Sequence, residues 1–259
     1  MSIKRIIRQL LSLLLTVALS LVAIVIAPPP AHAAIAFVQT TDVTSANPAA
    51  TSITSSAFGS SLTAGNLIAV AVAWNTGSVK VCSVTDTASN TYVEAVHRLA
   101  ANTQGLSIWY AKNINSGASV TVTANYGTVA DCTSSNASFR KIQAQEYSGL
   151  DTSSPLDVTA NNEGVAAANA TSTAATTTVA DELIFGAALH NNIASYTAGS
   201  GFTVRGTQNF FGVEDKIVSA TGSYEANWTN AADDWVAEMA TFKIAGAPSS
   251  PVQRRIFAW

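Results

Sequence analysis

At 259 residues, with 13 basic and 16 acidic side chains, the chain carries a net charge of −3, and only 11% of it is charged. That is less than half the usual charged share, and it excludes a nucleic-acid partner, which needs clustered Lys and Arg on one face. Ser, Thr, Asn and Ala fill the surface positions instead, a composition that favours strands over helices.

In chain order, the first element is an export signal over residues 1–33. Lys4, Arg5 and Arg8 precede an 18-residue apolar run from Leu10 to Ala27. Pro28-Pro29-Pro30 then breaks any helix, and Ala31-His32-Ala33 supplies a small-x-small cleavage site. The apolar run also reaches the lower limit of a membrane-spanning helix. The proline turn and the cleavage site favour removal over anchoring, so the expectation is a secreted, extracellular protein with no stable membrane insertion after cleavage. With the three basic residues of the signal set aside, 10 basic residues face 16 acidic ones, a net charge of −6.

Residues 34–245 read as one all-β domain. Period-two alternation predicts strands over 36–40, 66–74, 80–85, 92–99, 106–113, 119–126 and 139–147. The segment 66–74 is apolar on both faces, as expected for a strand covered on both sides. In 119–126, Val120, Val122, Ala124 and Tyr126 alternate with Ser119, Thr121, Thr123 and Asn125, as in a strand with one wet face. Residues 151–180 are poor in large apolar side chains and read as a long surface connection, with a Thr-rich edge strand near 173–179. Strands follow over 182–191, 202–208, 213–219, 224–229 and 235–244, and 246–259 reads as a flexible C-terminal tail. Asn- and Gly-containing turns separate the segments. Together they predict a jelly-roll-like antiparallel sandwich of two sheets and about 10–12 strands.

The phrases Gly65-Asn-Leu-Ile-Ala-Val70, Val84-Thr-Asp-Thr-Ala-Ser-Asn-Thr-Tyr92 and Ser107-Ile-Trp-Tyr-Ala-Lys-Asn-Ile114 occur in this order. Glu146-Tyr-Ser-Gly-Leu-Asp-Thr-Ser-Ser-Pro-Leu-Asp157 and Asp181-Glu-Leu-Ile-Phe-Gly186 follow them. The pattern resembles a secreted β-sandwich module found in bacterial extracellular and phage-encoded surface proteins. The resemblance implies an extracellular sandwich and no settled biochemical activity, and no catalytic residue is carried over by it.

Cys82 and Cys132 are the only cysteines, and in an oxidising compartment they are expected to form a disulfide. Carbohydrate ligands stack on aromatic rings, and Trp109, Tyr110 and Tyr126 are candidate rings; adjacent Trp109 and Tyr110 are out of phase, which predicts one of them outward. Glu146 shares parity with Ile142 and Ala144, and Glu238 with Val236 and Ala240. Both are therefore candidate buried carboxylates, with Arg98, Arg140 or Arg205 as partners. Asp86 and Asn90 offer two oxygens in a tight loop that calcium could use, although Asx side chains also stabilise turns unaided.

No Gly-x-Ser-x-Gly is present, nor the Glu-x-Asp-x-x-Glu of sandwich glucanases, and only two histidines follow the signal. The expectation is a non-catalytic binding or surface-display module without a required cofactor. Its partner would be a polysaccharide or another cell-surface ligand, the alternative being a glycan-active hydrolase or lyase acting through Glu146 or Glu238.

Overall fold

The computed structural model describes residues 33–246, so the expected signal and tail lie essentially outside the described residues. From the first half of the chain come β1 (Ala36–Thr40), β2 (Thr44–Ala46), β3 (Ser52–Thr54), β4 (Leu67–Asn75), β5 (Val79–Asp86), β6 (Tyr92–Leu99), β7 (Gln104–Ala111), β8 (Val122–Thr128) and β9 (Arg140–Ser148). The second half supplies β10 (Leu156–Ala167), β11 (Ala175–Thr176), β12 (Glu182–His190), β13 (Thr197–Ala198), β14 (Thr203–Gln208), β15 (Phe211–Val218), β16 (Ser223–Tyr224), β17 (Trp228–Thr229) and β18 (Asp233–Lys243). No helix occurs among the described residues, hence none long and apolar enough to cross a membrane.

The fold is an all-β, antiparallel sandwich. Its central sheet has the order β1-β9-β4-β7-β6, with β2 also pairing β9, and its second sheet the order β10-β18-β12-β15-β14. Between them lies one core in which Ala69, Ala71, Ala73, Leu106, Ile108 and Tyr110 meet Leu183, Phe185, Phe211, Val236 and Phe242. The alanines of β4 let the two sheets approach closely, and each buried Leu, Ile or Phe side chain contributes about 1.5–3 kcal/mol.

The expected two-sheet arrangement needs one correction. A third sheet, β3-β8-β5, covers the outer face of the central sheet, so Ile68, Val70, Val72 and Trp74 pack against Val81, Val84, Val122, Ala124 and Tyr126. Two short ribbons, β11-β16 and β13-β17, cover the outer face of the second sheet in the same way. The strands are parcelled out by sequence half: β1–β9 build the central and third sheets, and β10–β18 the rest.

Residues 151–180 depart most from expectation. They contain β10, twelve residues long, at the edge of the second sheet beside β18. Most β10 side chains are half-buried or exposed, so the strand is specified by backbone bonds to β18 and carries no apolar stripe that a pattern would reveal.

Two tryptophans are seated by glycines on neighbouring strands. Trp74 lies opposite Gly105, where a Cβ would sit 2.1 Å from the indole, and donates its Nε1–H to the Val79 carbonyl at 2.9 Å. Trp235 lies opposite Gly164, where a Cβ would sit 2.4 Å from the ring, and its Nε1–H reaches the Ala167 carbonyl at 3.0 Å. In both places glycine is required by close approach of a ring to the neighbouring strand.

Candidate functional site

The predicted residues fall into several separate places. Cys82 and Cys132 are bonded, with Cα atoms 5.7 Å apart. Cys82 occupies a bulge in β5, and Cys132 lies in the loop after β8, so the bond ties the third sheet to its own loop.

Asp86 and Asn90 form a turn. Asp86 Oδ1 accepts the backbone N–H groups of Ala88 and Asn90 at 3.0 and 2.9 Å, and its Oδ2 accepts Asn90 Nδ2 at 2.7 Å and the Tyr92 hydroxyl at 2.9 Å. Asn90 Oδ1 accepts the Asn115 amide at 2.7 Å. These oxygens are committed to local donors, so the loop is an Asx-stabilised turn, the reading that its side chains support unaided. No group of three or more His, Cys, Asp or Glu suited to a metal ion occurs among the described residues.

The three predicted rings are buried, so they cannot form a stacking platform. Tyr110 packs edge-on to Phe242 at 5.3 Å in the core between the large sheets. Trp109 points to the opposite face, under the third sheet, and Tyr126 packs edge-on to Trp74 at 5.8 Å. The physical reason is the third sheet, which leaves the central sheet without a wet face. Either phase of the Trp109-Tyr110 pair is therefore covered.

Glu146 and Glu238 are both 0% exposed, as their parity suggested, but neither is paired with arginine in the way expected. Glu146 Oε1 accepts the Thr63 backbone N–H at 2.9 Å and Asn66 Nδ2 at 2.7 Å, while Oε2 accepts Gln39 Nε2 at 2.6 Å. It thereby fixes the loop entering β4 to the central sheet. Gln39 is held in turn by the Ser60 amide at 2.9 Å on its Oε1. Replacing Glu146 with glutamine puts an N–H group against one of these donors and is expected to cost about 2 kcal/mol, roughly 5 °C in melting temperature. An unchanged thermal melt would show that the three bonds are dispensable.

Glu238 is different. Neither of its oxygens has a hydrogen-bond partner among the described residues, and burial pushes its carboxyl well above the ordinary range, with Glu94 adding to the rise and Arg98 opposing it. Arg98 itself is engaged by Glu163 at 3.0 Å and by Asn161 at 2.9 Å. Arg205 pairs with Asp215 at 2.7 Å, beside the Tyr147 hydroxyl on the same oxygen, also 2.7 Å away, and its guanidinium stacks on Phe37. Arg140 donates to the carbonyls of Ser52 and Pro48.

A concave site lies at one end of the sandwich, where the two large sheets part. It is a cleft of about 360 Å³ between the ends of β2, β4, β7 and β9 and, from the second sheet, the end of β12 and the β14–β15 turn. Its size and its position at a seam between elements suit a small ligand. Lys141, Asn75 and Gln104 line it from three adjacent strands, in register through the pairs Ala73–Lys141 and Asn75–Gln104. Their positions alternate with the outer-face apolar residues Ile142 and Trp74, which directs them between the sheets. Asn191, Asn209 and Phe210 line the cleft opposite.

Three residues with left-handed backbone lie at the same mouth. Phe139, Asn209 and Phe210 have φ values of +48°, +39° and +71°, a region that bulky residues rarely adopt. Phe139 is 54% exposed although it is a large aromatic. Strained, exposed aromatic residues persist where surrounding structure holds them, and they cluster at binding sites.

The alternation over 139–147 puts Phe139 and Lys141 inside a strand and gives them no role. The available signal was the polar row Lys141, Gln143 and Gln145 on alternate positions, which reads as a wet face unless a second sheet is known to cover it. Its coverage is long-range: Gln143 Nε2 donates to the Arg205 carbonyl of the second sheet at 3.0 Å.

The arrangement defines an all-β sandwich with an end cleft. No family model, curated protein or solved structure matches the chain.

Proposed function

We propose that this protein is an exported, non-catalytic binding module that holds a carbohydrate in the end cleft. The observation that carries this reading is the exposed ring of Phe139 beside a cleft lined by Asn47, Asn75, Gln104, Asn191 and Asn209. An apolar ring offers a stacking surface to a pyranose, and side-chain amides both donate to and accept from hydroxyl groups. Export is supported by the disulfide, by the Ala31-His32-Ala33 site and by the resemblance to secreted surface modules. A hydrolytic reading would need Glu146 or Glu238 to reach substrate, and neither has any exposed surface.

The test is a glycan array probed with the wild-type chain and with Phe139→Ala, alongside a polysaccharide turnover assay. Wild type should bind a subset of glycans. The variant, altered at an exposed position, should keep its melting temperature and lose at least tenfold in affinity. Turnover of a polysaccharide, or binding that ignores Phe139, would overturn the proposal.

A further inference from the structure

We propose that the glycan held by this cleft is anionic, and that Lys141 is the residue that recognises its acidic group. The inference rests on the binding reading above and names the chemical class of its ligand.

Lys141 is only 6% exposed. It sits between the sheets, where the neighbouring inward positions of β4 are alanines. A lysine there is not explained by packing. Its ammonium has three N–H donors, and one partner is present, Ser45 Oγ at 2.9 Å.

The buried and half-buried arginines among the described residues are provided for. Arg205 has Asp215, Arg98 has Glu163, and Arg140 has two backbone carbonyls. Lys141 has no carboxylate within ion-pair distance among the described residues, and none lines the cleft. Burial alone lowers its pKa, with no charged neighbour contributing. A buried cation without a counter-charge is costly, and an incoming anion removes that cost while satisfying the two remaining donors.

The rest of the lining selects what carries the anion. Asn75 Nδ2 and the Asn209 and Asn191 side chains offer neutral donors and acceptors, and Phe139 offers a stacking face. A bare inorganic anion would leave these groups unused. A sugar ring bearing one carboxylate or one sulfate ester engages ring face, hydroxyls and charge together.

The experiment titrates the full chain with three tetrasaccharide probes of the same linkage: tetragalacturonate, its methyl ester, and a sulfated tetragalactoside. Binding is read by calorimetry at low salt and at 0.5 M NaCl. At least one acidic probe is expected to bind tenfold or more tightly than the ester, and to lose most of that advantage at high salt. Which acidic probe wins separates carboxylate from sulfate recognition. Lys141→Met, which keeps length and removes charge, should abolish the advantage; Lys141→Arg should retain part of it.

Equal binding of acid and ester, or an advantage that survives in Lys141→Met, overturns the anionic assignment. If the ester then still binds through Phe139, the carbohydrate reading stands without it. Absence of binding by every probe overturns the anionic assignment; the glycan array decides the wider reading separately. Should Lys141→Met fail to fold, the salt dependence of the wild-type chain alone decides: affinity for the acidic probes that ignores salt sinks the assignment.

Discussion

Replacing Cys82 and Cys132 together with serine lowers the unfolding free energy by about 4 kcal/mol, the largest loss expected from a single structural bond in this fold. The two cysteines are 50 residues apart, and they close a loop that contains the second half of β5 and all of β6, β7 and β8. Cutting the bond releases that loop in the unfolded chain, which gains most of the entropy. The native state also loses a clamp on its third sheet. β3-β8-β5 has three strands, one only three residues long, and the loop carrying Cys132 lies so close to β8 that a Cβ on Gly127 would meet its carbonyl at 2.6 Å. For a domain of this size the loss corresponds to roughly 10 °C in melting temperature. Thermal melts of the double variant and of wild type under reductant should agree with each other and fall below the oxidised protein. A fall under about 1 kcal/mol would mean that the third sheet holds itself in place without the bond.

Strand positions were legible in the sequence wherever one face alone is buried or both are. Val120, Val122 and Ala124 turn inward and Thr121 and Thr123 outward as their alternation implies, and β4 is buried on both faces as its composition implies. What alternation does not encode is which sheet covers a face. The apolar row of β8 meets the outside of the central sheet, and that single pairing buries Trp109 and Tyr126 together. Edge strands fail for another reason. β10 needs only backbone partners on β18, so its Asn161-Asn162-Glu163-Gly164 stretch carries no hydrophobic signal at all.

The same distinction separates the legible from the illegible parts of the candidate site. Burial of Glu146 follows from its parity, which is local information. Its actual partners, Thr63, Asn66 and Gln39, come from segments 80 to 107 residues away, and nothing in the spacing announces that neutral donors rather than an arginine surround it. The cleft is wholly a product of how two sheets part at one end. Lys141, Gln104 and Asn75 are unremarkable strand residues until β9, β4 and β7 are set side by side.

Stability should fall as pH rises from about 5 to about 8, the reverse of the behaviour of a protein held by ionised carboxylates. Burial raises Glu182 from 4.5 to about 7, with Asp157 beside it adding to the rise, and raises Glu214 to about 8; burial also holds Glu238 well above its usual value. Glu182 and Glu214 face the covered outer side of the second sheet, whereas Glu238 lies between the large sheets. For a group whose folded pKa is raised, the unfolded chain releases its proton first. Its stabilising contribution is therefore complete below 4.5 and is lost as pH climbs through the folded value. His190 works in the opposite sense: burial depresses it from 6.5 to about 4, so its contribution is complete above 6.5 and is lost as pH falls through 4. Three glutamates outweigh one histidine between those limits, which sets the maximum at the acid end of the window, between about 4 and 4.5. Each pH unit in the window is worth up to about 1.4 kcal/mol per group, and a net loss of ~2 kcal/mol or more between pH 5 and pH 8 is expected once partial relaxation is allowed for. Glu214→Gln mimics the protonated acid and keeps an oxygen for the Asn227 amide, now 3.0 Å from Oε1. That variant should match wild type at pH 5 and exceed it at pH 8. Denaturant titrations across the range measure both effects, and a wild-type profile that is flat or rising from pH 5 to 8 would mean that these glutamates are ionised in the fold.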